Sequence, residues 1–186
     1  MGATEPLEQA IATAKGVLAN VSKEDLDKST PCASWKVRDL VNHLVGGADF
    51  FVTGMGGEAQ GESDFAAGDF HGAFDEQSAR TLACFSEAGA LEKTAQLPFG
   101  PMPGAAFMGL ATNDIFTHAW DLAKATGQNT DLNPTLAAAL LPQIQASIPD
   151  MFRGPEGSGM PFGPKQEAPA GASSADQIAA FLGRTV

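Results

Sequence analysis

The sequence contains three histidines, His43, His71 and His118. One of them stands in a spacing that supports shared chemistry, Asp114-Ile-Phe-Thr-His118. On a helix, four residues advance about 6 Å along the axis and turn the second side chain about 40° from the first, so both can reach one point. Phe107, Ala111, Leu122 and Ala125 fall within about 80° of the Asp114 direction, all on the side to which His118 turns, whereas Asn113, Thr117, Trp120 and Lys124 lie on the other side. The acid therefore shares an apolar face, where a carboxylate is costly unless it is neutralised, paired or bound to a cation. His43 lies on a strip with Gly47, Phe50 and Gly54, where the two glycines leave room beside the imidazole. If the two segments are neighbours, His43, Asp114 and His118 form a two-histidine, one-carboxylate set. Such a set leaves coordination positions open, which is the catalytic arrangement of a divalent metal. The same residues also suit a plain i,i+4 helix pair beside a hydrogen-bonded core histidine.

Asp121, three residues after His118, is placed to act as an acceptor that orients a ligand imidazole; a helix-end polar contact is the alternative. His71, in Asp69-Phe-His71-Gly72, follows an acidic loop and reads as a surface histidine. Cys32 precedes a helix start, where a thiol can be activated, but no cysteine–histidine pair follows from spacing. A small residue packed beside Pro31 is the preferred reading. Trp35 reads as a staple of the helix start, Trp120 as packed against a connector or C-terminal segment, and Cys84 as a residue without chemistry.

The elements that must position these groups are helices. Thr4 caps a first helix with the stripe Leu7, Ala10, Ile11, Ala14, Val17, Leu18 and Val21. A short turn at Ser22–Asp25 and a break at Ser29-Thr-Pro31 follow. Ser34 caps a second helix from Trp35 to about Val52, with Val37, Leu40, Val41, Leu44, Val45, Ala48, Phe51 and Val52 apolar. The Gly- and acid-rich stretch 56–68 reads as a mobile loop. A third helix spans about 73–88. Residues 91–104 form a rigid connector with a short extended piece at 94–99, and a fourth helix runs from about 105 to 125, ending at Gly127. Asn133-Pro134 starts a fifth, running to about Phe152 and kinked or split by Pro142. Residues 153–171 form a Gly- and Pro-rich loop, and Ser174-Ala-Asp-Gln177 is a capping box for a last helix. Alternating β-branched runs are too short for a sheet. The expected fold is all-α: one domain over 1–186, a four-helix bundle at about 4–127 with a helical C-terminal extension at about 133–186.

Composition narrows the function. The 186 residues are 44% hydrophobic with 12 phenylalanines, enough for a core. Acidic residues outnumber basic ones 22 to 11, a net charge of −11, so phosphate-rich nucleic acid and anionic membrane surfaces are poor partners. Two cysteines are too few for a disulfide scaffold. No secretory signal, bilayer span or myristoylation context is visible, and a cytoplasmic location is expected. Oligomeric state is open, a homodimer included.

Three segments together resemble a known family: Ser29-Thr-Pro-Cys-Ala-Ser-Trp35-Lys-Val-Arg-Asp-Leu-Val-Asn-His43, Asp114-Ile-Phe-Thr-His118-Ala-Trp-Asp-Leu-Ala-Lys-Ala-Thr-Gly127, and Ala180-Phe-Leu-Gly-Arg184. They are similar to the actinobacterial DinB-like proteins grouped with the N-terminal domain of mycothiol-dependent maleylpyruvate isomerase. The resemblance implies a DinB-type bundle with a divalent metal, usually zinc, at its open end, on His43, Asp114 and His118. The isomerase has Glu where Asp114 stands, one methylene longer. It also implies a low-molecular-weight thiol, mycothiol, as cosubstrate, acting on a small electrophile by transfer or isomerisation near Trp35, Phe50 and Phe107. The isomerase's further C-terminal domain supplies an arginine to substrate; Arg153 and Arg184 lie in unmatched contexts, so isomerase activity itself is not implied. The alternatives are a metal-holding bundle that senses or sequesters a ligand, a metal-free structural bundle, and a mononuclear iron oxygenase using the same ligands.

Overall fold

The computed structural model describes residues 2–32, 34–155 and 157–186. Helix α1 (Glu5–Leu18) carries Pro6 in its first turn, where the missing N–H is not needed, and buries Leu7, Ala10, Ala14, Val17 and Leu18. Helix α2 (Val37–Gly54) buries Val37, Leu40, Val41, Leu44, Val45, Ala48, Phe51 and Val52. Helices α3 (Phe70–Ser86) and α4 (Gly104–Thr126) follow, the latter stopped by left-handed Gly127 at φ 73°. The main packing pairs are α1 with α4 and α2 with α3, and α1–α3 and α2–α4 contacts close the ring of a four-helix bundle.

Contacts fix the helix directions. His43, in the first half of α2, meets Asp114 and His118 around the middle of α4. Gly54, at the end of α2, lies against Phe107 near the start of α4: a Cβ on it would sit 2.6 Å from that ring. The two helices are therefore antiparallel. The Asp49–Arg80 ion pair, 2.8 Å, joins matching portions of α2 and α3, so these two run the same way. Residues 55–69 must then return along a helix about 27 Å long.

That return segment was expected to be a mobile loop, and the structure corrects this. Asp49 accepts hydrogen bonds from the backbone N–H groups of Gln60 (2.9 Å) and Gly61 (2.8 Å). Arg80 donates to Asp49 and to the carbonyl of Glu58, both at 2.8 Å. Asn42 holds the other end, accepting from Ala66 N–H at 2.9 Å and donating to Asp64 at 3.0 Å.

The all-α expectation is also corrected. Strands β1 (Thr94–Leu97) and β2 (Gly100–Pro103) form an antiparallel hairpin, Thr94 opposite Pro103 and Leu97 opposite Gly100. Pro101 and Pro103 are tolerated because a two-stranded ribbon leaves each strand one unpaired side. The hairpin packs on α2 and α4.

Several boundaries move for local reasons. Ser34 is not the α2 cap: it has φ 64° in a tight loop closed by Thr30 N–H to the Trp35 carbonyl. The helix begins at Val37, and Asp39 accepts from Lys36 N–H at 2.8 Å. Asp69 caps α3 three residues earlier than expected, accepting from Gly72 N–H. Helix α5 (Pro134–Ser147) runs on through Pro142 but stops before Ile148 and Pro149 rather than at Phe152. Ser173, not Ser174, caps α6 (Ser174–Phe181) by accepting from Asp176 N–H. Helix α6 packs on α5 and α4, and buried Trp120 donates from Nε1 to Asp176 at 2.9 Å, so the extension is docked on the bundle. Asp49→Ala should lower unfolding free energy by about 1–3 kcal/mol and speed limited proteolysis within 56–64, checked by urea denaturation and mass mapping of the first cuts.

Candidate functional site

The antiparallel pairing of α2 and α4 brings the sequence-predicted residues together. His43 Nε2 is 3.3 Å from Asp114 Oδ1, and His118 Nε2 is 3.5 Å from the same oxygen. The imidazole centroids are 4.5 Å apart, edge to face. The three donor atoms all lie within 4.8 Å of one another. Asp114 and His43 retain about a quarter and a third of their side-chain exposure, so the cluster opens to solvent on their side, while His118 is nearly buried.

Behind the cluster lies a second layer. His118 Nδ1 is 3.0 Å from Asp121 Oδ2, and Asp121 is wholly buried. Arg184 grips the same carboxylate with a fork, Nε to Oδ1 at 3.2 Å and Nη2 to Oδ2 at 2.9 Å. Cys32 Sγ stands 3.4 Å from Asp121 Oδ2, 3.2 Å from Arg184 Nη2 and 4.0 Å from His118 Nδ1.

Sequence reasoning missed two of the neighbours and gave two readings of a third. Cys32 was preferred as an inert packing residue, yet its loop carries it to His118. Arg184 was left in an unmatched context, yet it is buried on Asp121. Trp35 was read from its position as a helix staple and, through the resemblance, as part of the pocket; it precedes α2, and its ring lies 5.0 Å from that of His43 and 5.9 Å, stacked, from that of His118. The one signal was that all three sit inside the quoted family segments. Phe107 was expected near an open pocket but is fully buried, touching half-buried Phe50 edge to face at 5.4 Å. His71 is exposed, with Nε2 3.0 Å from the Leu18 carbonyl, away from the cluster. Burial pushes the Cys84 thiol up to about 11, which keeps it unreactive.

The electrostatics are one system. Burial opposes charge on Asp114, but the two imidazoles outweigh it and hold its pKa well below the usual carboxylate range. Burial likewise works against a charged His118, and Asp114, with help from Asp121 and Cys32, overrides it and raises the pKa well above 6.5. Burial would raise Asp121, but the His118 hydrogen bond and the Arg184 charge bring it down to about 2. The Asp121 carboxylate in turn lifts Arg184 above its ordinary value against burial.

A carboxylate can only accept, yet two imidazole Nε2 atoms converge on one Asp114 oxygen. Without a cation that arrangement needs protons on the rings. With Nδ1 of His118 donating to Asp121, Nε2 is left as a lone pair, the form in which an imidazole can ligate a metal. Tetrahedral ligands about 2.1 Å from an ion stand about 3.4 Å apart, close to the 3.3 and 3.5 Å found here. The donor set fits a divalent metal.

Residues 7–123 match the family described as the mycothiol maleylpyruvate isomerase N-terminal domain. The chain belongs to that family. An uncharacterised protein found in two strains of Mycobacterium tuberculosis is 41% identical over 170 residues, covering 91% of this chain and 91% of its own length. The crystal structure of the mycothiol-dependent maleylpyruvate isomerase shares the fold with a TM-score of 0.59 at 16% identity, over 77% of this chain and 70% of that one. A point mutant of the same enzyme aligns equally well at 15% identity. Family membership thus agrees with the bundle, and the hairpin is the departure from a purely helical expectation.

In the metal-free protein, pH should act from both sides. Asp121 has a lowered pKa, so its contribution, on the order of 2 kcal/mol, is complete above the ordinary 3.8 and is lost as pH falls through about 2. His118 has a raised pKa, so its contribution is complete below the ordinary 6.5 and is lost as pH climbs through the raised value. Urea titrations across pH should show both limbs, with Asp121→Asn flattening the acid one.

Proposed function

We propose that this protein is a metal-dependent enzyme that uses a low-molecular-weight thiol of the mycothiol type for transfer or isomerisation on a small electrophile, working in the cytoplasm. The observation that carries the reading is the convergence of His43, Asp114 and His118 at the α2–α4 seam, in a chain of this family. These three residues would hold the ion, and the two-nitrogen, one-oxygen donor set is of the kind zinc takes. When bound, a divalent cation there favours the thiolate of an incoming thiol, the nucleophilic form at neutral pH.

The remaining roles belong to the chain. Asp121 keeps the His118 proton on Nδ1 and so keeps Nε2 aimed at Asp114. Trp35 walls the imidazoles with an apolar surface and limits water beside them. The partly exposed side of His43 and Asp114 is where thiol and electrophile would enter. Buried Arg184 is committed to Asp121 and is not presented to a substrate.

The second reading is a non-catalytic bundle that holds a divalent metal to sense or sequester a small ligand. It is favoured by one observation: Cys32 and Asp121, the acid–base groups beside the cluster, are both engaged by Arg184.

Untagged protein loaded with zinc should retain it through gel filtration, and His118→Ala should lose more affinity than the about 10–100-fold typical of changes behind a ligand. Holo protein mixed with mycothiol and chlorodinitrobenzene or maleylpyruvate should turn over, and His43→Ala should not. A zinc-loaded protein showing no rate above His43→Ala across a panel of thiols would support the binding reading instead. Failure of wild type to retain zinc would defeat both.

A further inference from the structure

Two sets of donors meet at His118. Nε2 faces Asp114 and His43, whereas Nδ1 faces Asp121 and Cys32. The donor atoms of Cys32, Asp121 and His118 also lie within 4.8 Å of one another, as closely gathered as those of the first set. By ligand chemistry the second set is the better one. It adds a sulfur to a carboxylate and an imidazole, and thiolate is a favoured ligand of zinc and other soft divalent ions.

What sets the two apart is a positive charge already in place. The Arg184 guanidinium reaches Cys32 Sγ (3.2 Å), Asp121 Oδ2 (2.9 Å) and Asp121 Oδ1 (3.2 Å), and its remaining nitrogen donates to the Leu182 carbonyl at 3.2 Å. Arg184 is 9% exposed. The backbone fixes it there. Gly183, at φ 95°, passes so close to Gly163 that a Cβ on it would meet that backbone at 2.7 Å. Arg184 N–H is bonded to the Ala179 carbonyl at 2.9 Å. The arginine is therefore placed by the turn that ends α6, not by the cluster it enters.

We propose that Arg184 is a built-in cation that fills the Cys32–Asp121–His118 cluster, excludes divalent metal from it and so confines metal to His43, Asp114 and His118. The same fork holds Asp121 against His118, which makes the C-terminal segment a positioning part of the site. A guanidinium suits the task because it cannot give up its charge at physiological pH and its planar fork matches a carboxylate. Exclusion does not require the first cluster to be loaded, although confinement of metal to it rests on the function proposed above.

Cobalt(II) distinguishes the clusters, since a cobalt–thiolate bond gives strong near-ultraviolet charge-transfer absorption that nitrogen and oxygen ligands lack. The full-length untagged chain, kept reduced with a thiol-free reductant, is titrated with cobalt chloride as wild type, Arg184→Gln, Arg184→Lys and the double variant Arg184→Gln/Cys32→Ser. Wild type should show no thiolate absorption. Arg184→Gln should gain it as the ion takes Cys32 sulfur and the thiol proton passes to solvent, Arg184→Lys should not, and the double variant should lose it. The contrast between Gln and Lys reads charge, because a merely structural arginine would respond alike to both.

Thiolate absorption in wild type overturns the proposal. So does an Arg184→Gln protein with native circular dichroism and no such absorption. If Arg184→Gln does not fold, Arg184→Lys decides: its spectrum must stay free of the thiolate band. A wild type that binds no cobalt counts against the His43–Asp114–His118 reading, and Arg184→Gln still settles exclusion at the second cluster. A wild type that binds cobalt without the band, beside a folded Arg184→Gln that also lacks it, keeps the first reading and overturns this one.

Discussion

The Asp121 carboxylate is the point on which the site depends. It is wholly buried, accepts from His118 Nδ1 on one side and takes the Arg184 fork on the other. A charge there is tolerable because both partners are present; removing Arg184 breaks a buried ion pair, which costs several kcal/mol. The result is a chain of commitments running from the C-terminus to the open face: Leu182 carbonyl, Arg184, Asp121, His118, Asp114, His43. Each link sets the orientation or the protonation of the next, so the tautomer of one imidazole is tied to a residue far along the chain.

The bundle supports this chain through its directions. With α2 antiparallel to α4, the first half of α2 faces the middle of α4, and His43 comes level with Asp114 and His118. With α2 and α3 running the same way, the connection between them is long, and Asp49 and Arg80 supply the polar contacts that a surface segment otherwise takes from water. The hairpin at 94–103 seats beside Gly54, where close approach of Phe107 and Leu97 leaves no space for a larger residue.

Much of the fold was legible because it rests on periodicity. The apolar stripes of α1 and α2 and the shared face of Asp114 and His118 follow from the 3.6-residue repeat, and these elements stand where that repeat put them. Readings failed where long-range contacts decide. Nothing local says that Cys32 will touch His118, 86 residues away, or that Arg184 will grip Asp121, 63 residues away. The Ser34 cap failed because a left-handed turn ends the loop before the helix begins. The 56–68 stretch looked mobile from its glycines, yet one carboxylate from α2 organises it. The extended piece expected at 94–99 holds the first strand, but its pairing escaped notice because the second strand is rich in proline, which reads as a connector until a partner strand is alongside.

The aromatic inventory gives the molecule an optical property of its own. The chain has two tryptophans and no tyrosine. Trp35 lies over both imidazoles, whereas Trp120 is sealed in the α4–α6 joint with its indole N–H on Asp176. Ultraviolet emission therefore originates at two sites only, one against the histidine rings and one at the seam of the C-terminal segment. A protonated imidazole quenches a neighbouring indole, so the brightness of Trp35 reports the state of His43 and His118, and the colour of Trp120 reports whether α6 is seated.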